Sequence, residues 1–145
     1  MSNRRQNDHF FNGRFAVEIE GLVAGRFVAC DGLEARIDVV GFADGNGDNG
    51  LERKRPGRAR YANIVLRRGL TTSDELWRWC QTALNGDVAR RAGSIILLDD
   101  DGSEALRYNF YDGWPCRWKS MTLDTGTAGA LVEEIEIAVE KIERA

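Results

Sequence analysis

The sequence predicts a mainly β domain, a β-sandwich or barrel-like fold with one α-helix packed against it. Three observations carry that prediction. Short runs of alternating apolar and polar residues recur from Arg14 to Ile142, as in half-buried strands. One stretch alone, within 72–86, switches to helical period. That helix has an apolar side, and with no second amphipathic helix to cover it, the cover has to be a sheet. The 145 residues are of single-domain size and bury roughly two thirds of the unfolded surface without metals or disulfides.

Residues 1–13 read as a polar N-terminal arm with the sole histidine, His9, ahead of Phe10 and Phe11; residues 14–145 read as one domain. The first strand, from Arg14, puts Phe15, Val17 and Ile19 on one side and Glu18 and Glu20 on the other, and Gly21 ends it. A second is expected over 26–30 and a third over 34–40, with Ala35, Ile37 and Val39 on its apolar side; the three suit an antiparallel meander. Residues 41–57 then hold five glycines, three acidic residues and the run Arg53, Lys54, Arg55 before Pro56 and Gly57. A loop of that length in a small domain calls for a function.

Residues 61–67 carry the aromatic Tyr61 and β-branched Ile64 and Val65 of a strand, and a helix follows. Thr72 or Ser73 is placed to cap it, Asp74 and Glu75 sit at the positive end of its dipole, and Gly86 stops it. Leu76, Trp77, Trp79, Cys80, Ala83 and Leu84 fall within an arc of roughly 160°. Strands at 94–98 and 104–110 flank a turn at 99–103, and 114–119 is a further strand that Pro115 confines to an edge or a strand start. The last segment, 131–142, sets Leu131, Ile135, Ile137 and Val139 against Glu134, Glu136 and Glu140, whose alternation describes a solvated face. Such an open sheet leaves unpaired edges, a template for pairing with another chain.

The composition excludes several function classes. A net charge of −3, from 23 acidic and 20 basic residues, marks neither a general nucleic-acid binder nor an acidic tail. No run of apolar residues is long enough to span a membrane. Three widely separated cysteines, Cys30, Cys80 and Cys116, and no N-terminal apolar run behind positive charge point to synthesis in a reducing cytoplasm, with each thiol a small buried side chain. The oxygen-rich 44–50 stretch has Arg55 where a calcium loop needs a bidentate Glu, so no metal is expected. With one histidine, and that in the arm, thiol or serine catalysis has no base, and neither an enzyme activity nor a cofactor is expected. Trp77, Trp79, Trp114 and Trp118 suit burial between helix and sheet. The basic residues from Arg53 to Arg60 are the one local charge concentration and suit a protein interface.

Nine short segments in fixed order add a resemblance: FAVEIEG (15–21), CDGLE (30–34), RKRPG (53–57), IVLRRGLT (64–71), LWRW (76–79), SIILLD (94–99), YNF (108–110), WP (114–115) and EEIE (133–136). Each is weak alone, but the ordered series resembles the contractile-tail tube proteins, the T4-like phage tail tube proteins and their relatives in extracellular contractile injection systems. The resemblance runs over residues 10–143.

It implies a non-enzymatic subunit of an inner tube, six copies to a ring, with rings stacked into a hollow conduit inside a contractile sheath. The 41–57 loop and the arm would reach an adjacent ring or subunit, with Phe10, Phe11, Asp44, Asp48, Glu52, Arg53, Lys54, Arg55 and Pro56 as contacts. Glu34, Arg36, Asp38, Asn63 and Arg67 would line the lumen. Implied partners are further copies of the chain, a sheath protein, baseplate or tube-end adaptors, tube-terminating proteins and cargo in the lumen; the place is a phage tail or a released injection particle. Two alternatives stay open: a secreted type VI-like ring protein carrying effectors, and a monomeric nucleic-acid-binding β-barrel using residues 53–60.

Overall fold

The computed structural model describes residues 15–22, 25–43, 51–69, 72–121 and 132–145. Its strands are β1 (Phe15–Ile19), β2 (Arg26–Phe27), β3 (Ala29–Asp31), β4 (Ala35–Ala43), β5 (Glu52–Tyr61), β6 (Ile64–Gly69), β7 (Arg91–Leu98), β8 (Glu104–Met121), β9 (Val132–Ala138) and β10 (Lys141–Arg144), with helix α1 (Glu75–Leu84) between β6 and β7. The main sheet runs β2-β1-β7-β8-β9-β6-β3, with β10 also on β8, and all pairs are antiparallel.

β2 and β3 are halves of one stretch broken at Val28. The first half pairs with β1 and the second with β6, and the Val28 N–H donates to Arg67 O at 2.9 Å. The two ends of the sheet are thereby joined, and the fold closes as a barrel. This corrects two expectations. The first two predicted strands do pair, through β1 and β2, but the third does not complete a meander, because β3 pairs with β6 and β4 with β5. Nor is the main sheet left open between its first and last strands, since closure removes that edge.

The core follows from alternation. Val17 and Ile19 of β1, Ile64 and Leu66 of β6, Ile95 of β7, Phe110 of β8 and Ile135 and Ile137 of β9 all point inward and are nearly inaccessible. Helix α1 adds Leu76, Trp79 and Cys80 to that interior, and the Trp79 indole donates to Ala89 O at 2.7 Å. Its N-cap is Asp74, with no side-chain cap bond, in place of Thr72 or Ser73; the Asp74 carboxylate instead accepts from Arg78 Nε at 2.9 Å, one turn on. The apolar arc is narrower than predicted, because Leu84, the helix's last residue, is exposed. Trp77 is half-buried against Trp118, ring centres 4.8 Å apart.

Two predicted strands, 104–110 and 114–119, are one long strand, β8, which leaves β7 and takes β9 as partner near Gly113. Pro115 is therefore neither at an edge nor at a strand start. It is buried opposite Ile137, beside a bulge that sets both Cys116 and Arg117 against Glu136. The segment 131–142 likewise divides, into β9 and β10.

Candidate assembly site

β4 and β5 form a two-stranded ribbon, and their sequence explains its long exposed course. Every residue of the ribbon is exposed except Asp38 and Tyr61, which are partly covered. Residues 41–43 and 52–57, expected as loop, are thus strand; 44–50 lie outside the described residues, and with them Asp44 and Asp48. Phe10 and Phe11 of the arm lie outside them as well. Pro56 is tolerated because a two-stranded ribbon has edges on both sides.

The ribbon is an extension of the barrel wall. Asp31 pairs with Val65 in the β3–β6 ladder and Ala35 with Tyr61 in the β4–β5 ladder, which is one register carried through. Between the ladders Gly32 takes a positive φ of 94° and touches the opposite strand so closely that a Cβ there would collide with Asn63 O. Stretches 29–43 and 52–69 therefore form one long hairpin, half barrel wall and half free ribbon.

Register assigns its two faces. Ile37 lies opposite Ala59 and Val39 opposite Pro56, sharing a face with Ala35 and Tyr61; on this side only Glu52 and Lys54 carry charge. The other face holds Arg36 opposite Arg60, Val40 opposite Arg55 and Phe42 opposite Arg53. There Arg60 Nε donates to Asp38 Oδ2 at 2.9 Å, and the Arg55 guanidinium stacks 5.5 Å from the Phe42 ring centre. Phe42 is nonetheless 41% exposed. Over β4 and β5 there are six basic and two acidic residues, +4; against the chain's −3 this leaves −7 on the remainder.

The five residues expected to line a lumen fall on two faces. Asn63 and Arg67 alternate with the buried Ile64 and Leu66 and so point out of the barrel, whereas Arg36 and Asp38 occupy the ribbon's basic face, with Glu34 next in the same alternation. Around Arg67 the barrel carries an ion-pair ladder that sequence reasoning had read as a solvated glutamate row. Glu134 accepts from Arg67 at 2.7 Å and from Arg117 at 2.6 Å, and is only 6% exposed. Glu136 accepts from Asn63 Nδ2 at 2.9 Å and Arg117 Nε at 3.3 Å. Those donors hold both carboxyls below the usual glutamate range, Arg67 leading for Glu134 and Asn63 for Glu136. Cys116, expected to be buried, is exposed here, its Sγ 3.6 Å from Glu136 Oε2, because the bulge turns it outward. No spacing signal betrays the ladder, since its members come from three strands.

A closed barrel whose own hairpin projects uncovered, apolar and cationic on one face, defines a structural building block for self-assembly. The chain belongs to the T4-like virus tail tube protein gp19 family, whose model matches residues 12–143. Membership makes it a structural subunit of an inner tail tube. No curated protein matches it. In fold it is similar to a chain of the PVC sheath-tube complex, an extracellular contractile injection system in the extended state, at 24% identity, covering 97% of this chain and 93% of that one, with a TM-score of 0.82. The anti-feeding prophage tube-terminating cap is similar at 20% identity, 99% and 95% coverage and a TM-score of 0.82. Hcp1 from Flavobacterium johnsoniae shares the fold more distantly, at 19% identity, 91% and 94% coverage and a TM-score of 0.57.

Proposed function

We propose that six copies close into a ring and that rings stack into a hollow tube, with the ribbon reaching both a neighbour in its own ring and the adjacent ring, a contractile sheath outside, and adaptor and terminating proteins at the ends. The carrying observation is the segregation of charge: ribbon strands of +4 with Val40 and Phe42 bare among their arginines, against −7 on the rest of the chain, of which Asp44 and Asp48 contribute −2. A second copy supplies the complementary acidic surface, and contact of opposite signs sets registry and direction. Glu52, Arg53, Lys54, Arg55 and Pro56 lie on the ribbon, and Asp44 and Asp48, between the two strands in sequence, and Phe10 and Phe11 of the arm join them in this reading. The subunit performs no chemistry; it is made in the cytoplasm and passes cargo as part of a tail or injection particle. Support for sheath and end partners comes from the complexes in which its structural relatives occur, a sheath-tube complex and a tube-terminating cap.

The test is assembly of Arg55→Glu/Arg60→Glu. Wild-type protein forms rings or tubes in electron micrographs, and the charge-reversed variant stays a folded monomer. Normal tubes from that variant would overturn the reading.

A further inference from the structure

The two faces of the long hairpin differ in charge, and the difference says what each one meets. Strands β3 and β6 run straight into the ribbon, so a ribbon that reaches the next copy carries the β3-β6-β9-β8 part of the barrel with it around the ring. The outer face of that sheet then becomes a continuous surface. On it stand Arg67, Arg117 and Lys119 against Asp31, Glu134 and Glu136, three charges of each sign, and the ribbon face in the same alternation adds only the pair Glu52 and Lys54. All of the ribbon's surplus positive charge lies on the opposite face or at Arg58 in its bulge.

We propose that the outer face of β3-β6-β9-β8 is the conduit wall and that its cross-strand ladder makes this wall electroneutral, so that macromolecular cargo of either sign passes without being held. This rests on the tube reading and deepens it: Asn63 and Arg67 belong to the wall, whereas Glu34, Arg36 and Asp38 go with the docking face. Glu134 is the keystone, since it bridges two guanidiniums, Arg67 at 2.7 Å and Arg117 at 2.6 Å, and Glu136 supplies the second negative charge through Arg117. A wall of one sign would focus ions and slow an oppositely charged cargo; paired charges at contact distance cancel within a Debye length.

Cys116 supplies the reporter. It is the exposed cysteine of the three, Cys80 being buried and Cys30 partly so, with the Cys30 thiol pushed up to about 11 by burial and by Asp31. Intact tubes and dissociated protein are treated at about pH 9, where thiolate is more abundant, with a bulky maleimide, carried on a bead far wider than the tube, and with small cationic and anionic methanethiosulfonates of equal size; Cys116→Ser is the blank. In intact tubes the bulky reagent fails while both small ones react. Normalised to dissociated protein, their rates agree within about threefold, below the roughly tenfold or greater enrichment of a charged channel. In Glu134→Gln tubes the anionic reagent gains on the cationic one. Bulky labelling of intact tubes, protection from every reagent, or a tenfold sign preference in wild type each overturns the proposal. Protein that makes no tubes at all overturns the reading beneath it instead, and micrographs taken beforehand tell the two failures apart.

Discussion

Arg68 Nε lies 2.8 Å from Glu133 Oε1 across the β6–β9 pair, with both residues inside the barrel, 7% and 2% exposed. The second Glu133 oxygen accepts from the Trp118 indole at 2.9 Å, and the guanidinium lies 5.2 Å from the Phe27 ring centre. Glu133 is thus matched at both oxygens, whereas Arg68, paired through Nε and set against the Phe27 ring, keeps Nη2 buried without an acceptor among the described residues, so the pair as a whole is only partly compensated. Glu133→Ala strands the arginine and should cost about 3–5 kcal/mol, whereas Arg68→Met with Glu133→Leu removes both ions and should recover most of that loss. Urea midpoints of the three variants decide it; a single variant as stable as wild type would show the pair to be dispensable.

One residue further along both strands, Glu134 and then Glu136 give a pH dependence with a definite sign. Their folded carboxyls are held below the ordinary value, so the unfolded chain binds protons more readily. The stabilisation is complete above the ordinary glutamate pKa of about 4.3, declines as pH falls below it, and is gone once pH passes the depressed folded values. Urea midpoints between pH 7 and 3 should fall accordingly, and Glu134→Gln should flatten the descent. An equally steep fall in that variant would assign acid sensitivity elsewhere.

Gly32→Ala tests the exit of the hairpin. The residue must hold φ of 94° beside Asn63 O, and a methyl group has no room there. A loss of at least about 1–3 kcal/mol is expected from backbone strain alone, visible in thermal unfolding, and tubes should fail with it. An unchanged melting curve would mean that the barrel does not depend on this turn.

The ribbon should behave oppositely. Phe42→Ser changes an exposed side chain and should leave monomer stability within about 0.5 kcal/mol, yet abolish tubes. Deleting residues 43–51 should also give a folded monomer that stacks poorly. Sedimentation and electron microscopy separate the two effects; variants that assemble normally would relieve the ribbon of its role.

Much of the barrel was legible because alternation reports burial directly: β1, β6, β7 and β9 appear where Phe15 to Ile19, Ile64 to Leu66, Ile95 and Ile135 to Ile137 alternate or cluster. The first part of β4 was legible in the alternation of Ala35, Ile37 and Val39, whereas 41–43 and 52–57 were misjudged as loop, because none of this ribbon is buried and glycines, Pro56 and a run of basic residues show no core periodicity. β8 looked like two strands because Asp112, Gly113 and Pro115 are turn residues by habit; here Asp112 takes a φ of 54° where the strand changes partners. Pairing partners such as Arg68 and Glu133, 65 residues apart, leave no local trace. Composition located the basic residues Arg53 to Arg60 of the ribbon, whereas the ladder about Glu134 required the register.

The unbroken register from β3–β6 into β4–β5 has a mechanical corollary. A pull on the ribbon's tip, directed along its strands, is borne by many rungs at once in shear, because ladder hydrogen bonds lie across that direction. At the junction the Gly32 backbone packs closely against Asn63, which restricts bending there. Thrust delivered to one subunit would accordingly reach its neighbour as a push on a stiff rod, with little dissipated in bending.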